Sequence, residues 1–167
     1  MVAAGISNDG ESVEVEFRRL TEFRKPTPAR LGDAELTLDG QTKYVEVKKA
    51  SSDTLNQVRP VKYSTLVAKD VRDGQWCVVP PQVVVAEAID KGRGQHSESP
   101  FECCTLSLGK LLAYRTPVGK LRDAVVEATR SGDALDGLPE VLRSHIERIR
   151  KVVEEDRARI REALPRS

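Results

Sequence analysis

The sequence predicts a mixed α/β (α+β) domain, and three observations carry that expectation. Two runs that alternate apolar and polar residues, 29–38 and 42–50, flank Asp39-Gly40, a pair suited to a tight hairpin. Apolar runs at 75–80 and 101–108 are the length of buried strands, and a helical stretch at 81–92 lies between them. Two amphipathic stretches, 116–132 and 139–164, end the chain as helices. The expected order is hairpin, helix, strand, helix, strand and two helices, which describes a mixed central sheet flanked by helices with a C-terminal helical extension.

Taken in turn, residues 1–11 are small and polar and predict a loose lead. Residues 12–23 fit either a strand (Val13, Val15, Phe17) or a short helix (Val13, Phe17, Leu20), and the pattern leaves both open. Two prolines make 25–30 a loop. Residues 51–70 read as a helix, with Asp53 or Asn56 as cap and Val58, Val61, Leu66 and Val67 as its apolar positions, provided that Pro60 sits in the first turn. Thr116-Pro117 opens the next-to-last helix with a capping residue followed by proline, and its face is Val118, Leu121, Val125 and Ala128. The last helix carries the stripe Leu142, Ile146, Ile149, Val153, Ile160 and Leu164, close to a coiled-coil seam. Residues 1–115 are thus expected to form the α/β core, and 116–167 a helical appendage of the same domain.

The chain has 167 residues, enough for one domain with one core. Charged residues make up 32% and hydrophobic residues 39%, yet the formal net charge is only +1, so any basic surface must be local. Cys77, Cys103 and Cys104 do not form a disulfide pattern, and His96 and His145 lack the partners of a structural zinc site. The first residues carry neither a basic start nor an apolar run, and the longest apolar run, residues 83–86, cannot cross a bilayer. These features predict a cytoplasmic protein in a reducing compartment, with no membrane contact.

The chemistry concentrates on the hairpin. Val45 and Val47 point to one face of their strand, whereas Tyr44, Glu46 and Lys48 point to the other. Asp33, on the first strand, comes within reach of Glu46 across the pair. Two carboxylates held so close repel unless a cation lies between them. Magnesium suits such a pair, because it takes one or two carboxylates and keeps waters for substrate phosphates. A lysine beside it can orient the attacking water or stabilise charge developing on phosphate. The plain alternative is a solvated face whose ion cluster contributes little.

Gly32-Asp33, followed after residues 34–45 by Glu46-Val47-Lys48, resembles the signature of the PD-(D/E)XK nuclease superfamily, which includes restriction endonucleases, Holliday-junction resolvases and repair nucleases. Gln57 and Tyr63 resemble the glutamine-bearing helix that follows the lysine strand in resolvase-like branches, and 75–80 falls where that fold places its third core strand. The likeness spans roughly residues 12–106. It implies a restriction-endonuclease-like core and an Mg2+-dependent DNA endonuclease, with Mn2+ able to substitute. Asp33 and Glu46 would hold the metal together with the backbone carbonyl of Val47, and Lys48 would serve the nucleophile. Glu16 would be the auxiliary acid of some branches. Gly32 stands where the family usually has proline, which leaves the subfamily open.

DNA contacts are expected from Lys49, Gln57, Arg59 and Lys62, beside the proposed site, and from Arg93, Gln95 and His96 in the glycine-rich loop 92–97. A homodimer through the C-terminal helices would let two sites cut two strands. A DNA-binding or assembly subunit without cleavage and a protein-interaction domain using the last helix are the competing readings.

Overall fold

The computed structural model describes residues 11–89, 103–131 and 140–163, except the side chains of 89, 141, 142 and 145. Helix α1 (Val13–Thr21) settles the open choice in favour of a helix. Ser12 caps it by accepting from the Val15 N–H at 3.2 Å, Glu14 and Glu16 lie in its first turn, and Arg18 and Arg19 in its last. Strands β1 (Ala34–Leu38) and β2 (Gln41–Ala50) form the expected antiparallel hairpin, with Leu38 opposite Gln41. Asp39 (φ 51°) and Gly40 (φ 78°) are both left-handed, as a two-residue turn of this kind requires.

The helix expected over 51–70 is absent. That segment forms β3 (Thr54–Val58), a turn through Pro60, and β4 (Thr65–Asp70). The proline lies in the middle of the segment, where a helix would lose a hydrogen bond and clash with the preceding turn. The residues after it read as a central strand: Thr65, Leu66, Val67 and Ala68 are all buried, four in succession, because β4 is covered on both faces. β4 runs parallel to β2, with Glu46 beside Leu66 and Lys48 beside Ala68. Strand β5 (Gln75–Val79), the expected apolar run, pairs antiparallel with β4, and the short β7 (Arg115–Thr116) completes a mixed sheet of order β1-β2-β4-β5-β7. β3 leaves this sheet and pairs instead with β6 (Cys104–Ser107).

Both faces of the sheet are covered. On one face Val45, Val47, Val67, Trp76 and Val78 meet Phe17 of α1 and Leu121, Val125 and Ala128 of α3 (Leu121–Arg130). Thr116-Pro117 leads into a short 3-10 turn (Val118–Lys120) before α3 begins, so Val118 stays exposed while the rest of the expected face is buried. The other face, with Ala50, Leu66, Ala68, Cys77 and Val79, meets β3, β6, α2 (Pro81–Ile89), the 3-10 turn Leu108–Tyr114 and Ile146 of α4 (Glu140–Glu162). The three cysteines are buried. Leu142 and Leu164 lie outside the described side chains. Three residues of the remaining stripe of α4 dock on the chain itself: Ile146 and Ile149 on the core, and Ile160 on Leu31 and Tyr44. Among the described residues no helix is long and apolar enough to cross a membrane.

Candidate active site

β2 sets Tyr44, Glu46 and Lys48 on one face, as its alternation predicts, but that face is not a solvated one. Glu46 is 5% exposed, and Tyr44 is buried against Leu31 and Ile160. The covering elements close over the strand where the alternating pattern, taken alone, allowed open water. Lys48 Nζ lies 3.3 Å from the Glu46 carboxylate. Burial nevertheless pushes the Glu46 carboxyl up to about 7, against the opposing pull of the Lys48 ammonium and the Arg59 backbone N–H, and the charge of Asp33 adds to the rise.

Asp33 enters from the start of β1. Its backbone N–H donates to the Val45 carbonyl at 3.1 Å, and its Oδ2 accepts from the Val47 N–H at 2.8 Å, so the side chain is tied to the strand that carries Glu46. Arg18 of α1 donates to the Asp33 carbonyl at 2.6 Å and holds the backbone from the other side. Gly32 permits this approach: a Cβ there would stand 3.0 Å from Tyr44 Cβ. Steric room is therefore the reason for glycine before the acid. Burial raises the Asp33 carboxyl above its ordinary range despite the Val47 hydrogen bond, and Glu14 adds to the rise. Tyr63 completes the group. Its hydroxyl is pushed up to about 12 by burial and by the negative charges of Glu46 and Asp33.

The donor set fits a hard divalent cation. The charge of Asp33 reaches the Glu46 carboxyl and raises it, and a buried carboxylate pair of this kind favours a positive partner stronger than one lysine. Within a strand a residue's N–H and C=O face the same neighbour, so the Val47 carbonyl opens on the side where its N–H meets Asp33. Asp33, Glu46 and Val47 together offer three oxygen ligands of the kind magnesium takes, with water filling the rest. Among the described residues no trio of His, Cys, Asp or Glu side chains converges as a metal cage; magnesium asks for fewer protein ligands than that.

The other expected residues fall in different places. Arg59 is exposed beside the site, where its backbone N–H meets Glu46; Lys49 is exposed on the opposite face of the sheet, in register with Lys69; and Lys62 is half-buried. Gln57 lies on no helix; it is exposed on β3 with φ 55°, next to the register shift between Leu55 and Val58. Arg93, Gln95 and His96 lie outside the described residues, as does the side chain of His145. Glu16 pairs with Lys69 Nζ at 2.6 Å, and Lys69 lies over Trp76, on the sheet face opposite Glu46. It is Glu14, not Glu16, whose charge reaches Asp33. Glu14 and Arg18 are four residues apart and so share one side of α1; a helical reading of 12–23 would have singled them out. No protein-family model, curated protein or solved structure matches the chain.

Proposed function

We propose that the protein is a magnesium-dependent DNA endonuclease of restriction or mobile-element type, with Asp33, Glu46 and Lys48 as its catalytic group. The observation that supports this most is the buried Glu46 carboxylate, 3.3 Å from the Lys48 ammonium and within reach of the Asp33 charge. A purely structural ion pair does not need a second carboxylate raised beside it. When bound, the metal ion would neutralise the pair and stabilise negative charge on the scissile phosphate. Asp33 and Glu46 would hold it, with the Val47 hydrogen bond fixing the Asp33 carboxylate. Lys48 would orient the attacking water and offset charge at the phosphorus-bound oxygens. Arg59, exposed beside the pair, would engage backbone phosphates. Two copies assembled on one duplex would cut both strands. A cytoplasmic setting would keep the three buried cysteines as thiols.

Supercoiled plasmid incubated with magnesium or manganese tests the reading. Wild type should nick or linearise it, and Asp33→Ala and Lys48→Ala should each lose about 100-fold or more in rate while keeping the wild-type circular dichroism. Equal cutting by all three proteins would remove the catalytic role. The second reading, a DNA-binding subunit that does not cut, draws on the Lys48–Glu46 pair itself, which can serve to satisfy a buried charge. It requires metal-independent DNA binding that survives Lys48→Ala.

A further inference from the structure

A cavity of about 430 Å³ lies between the turn before β4, the end of α3 and the middle of α4. It takes Lys43 from β2, Lys62 from the turn, Arg130 from α3, and Arg150, Glu154 and Arg157 from α4. Five of the lining residues are cationic and one is acidic, and that carboxylate already accepts from Arg157 Nη1 at 2.8 Å. The cations are crowded enough to act on one another: burial, then the charges of Arg59 and Arg157, lower the Lys62 ammonium. Arg157 is 8% exposed. It donates to the Lys62 carbonyl and lies over the Tyr44 ring at 4.7 Å, while its Nε finds no hydrogen-bond partner among the described residues. Concentrating like charge in a concave site is unfavourable unless an anion comes to occupy it. The volume is that of a small-molecule site and too small for a duplex.

We propose that this cavity binds a phosphomonoester on a nucleotide-sized group, supplied either by the terminal phosphate of a nucleic-acid strand or by a free nucleotide. Phosphate matches the wall, since arginine guanidinium groups engage its oxygens two at a time and Lys43 and Lys62 add point charges. The strand-end source rests on the nuclease reading, because Tyr63 lines the cavity and also faces the Glu46–Asp33 pair. The free-nucleotide source does not.

The experiment uses the full chain in EDTA, so that a protein that cuts nothing still tests the cavity. Fluorescence anisotropy would compare a labelled single strand bearing a 5′-phosphate with the same strand bearing a 5′-hydroxyl, and calorimetry would follow dAMP. The expected result is tighter binding of the phosphorylated strand, of dAMP, or of both, weakened about tenfold or more by Arg130→Glu and by Lys43→Glu. Arg130 is exposed and Lys43 half-exposed, so both variants should fold, and circular dichroism would verify it. Binding of the phosphorylated strand without dAMP identifies a strand-end site, and binding of dAMP identifies a nucleotide site. Equal affinity for the two strands with no dAMP binding, or affinities unchanged in both variants, would overturn the proposal.

Discussion

At the scale of single residues, Glu46 carries the sharpest consequence. Its carboxyl sits at about 7 in the fold and near 4.5 in the unfolded chain, so the folded state holds the proton more tightly. The sign follows directly: the buried charge costs nothing below about pH 4.5, its cost grows as pH rises, and it is complete above about 7. Glu46→Gln should therefore be close to neutral at pH 4.5 and should stabilise the metal-free protein at pH 8, by roughly 1–3 kcal/mol. Thermal melts in EDTA at the two pH values measure it. A difference in Tm that stays flat between them would mean that Glu46 is solvated in solution. The same residue shows what alternation alone can tell. The strand pattern places Glu46 and Lys48 together on a face, but whether that face meets water depends on Leu31, Tyr63 and Ile160, which come from three other segments.

At the scale of elements, the hairpin and the last helix contrast with the segment between them. Asp39-Gly40 closes a turn through local backbone geometry, so it is legible from a few residues. Residues 51–70 are not, because Val58, Val61, Leu66 and Val67 fit a loose helical spacing as well as two short strands. What decides against the helix is the parallel pairing of β4 with β2, a contact between residues about twenty positions apart. α4 poses a similar choice, since an apolar stripe at this spacing suits a partner helix as well as a core. Here Ile146 is fully buried on the chain's own domain. Ile146→Ala should accordingly lower the stability of the whole domain by about 2–5 kcal/mol in chemical denaturation. A variant with an unchanged midpoint would show that α4 stands off the core.

At the scale of the whole molecule, the surface bears on assembly. The large apolar side chains exposed among the described residues are Val15, Val71, Leu112, Val118 and Val152, scattered over separate parts of the fold. Single exposed residues of this kind do not make an interface, and Ile146, Ile149 and Ile160 of the stripe that suggested pairing pack within the chain. The free protein should therefore scatter light as a monomer of 18.5 kDa at micromolar concentration, with any pairing confined to DNA. A stable dimer without DNA would sink that expectation.

What the sequence determined by itself was local or compositional: the Asp-Gly hairpin, the strand at 75–80, the helices after Pro81 and Pro117, and the pairing of Glu46 with Lys48 on one side of a strand. Each depends on residues within a turn or two of one another, where backbone preference and side-chain period act directly. Only the tertiary structure decided that β4 inserts beside β2, that the Glu46 face is buried, that Glu14 and Tyr63 join Asp33, and that cations from a strand, a turn and two helices share one cavity. Those outcomes depend on which apolar surfaces meet across long stretches of chain, and the hydrophobic effect that drives such meetings is non-directional. A single sequence states the strength of that drive, and the packed structure states where it acts.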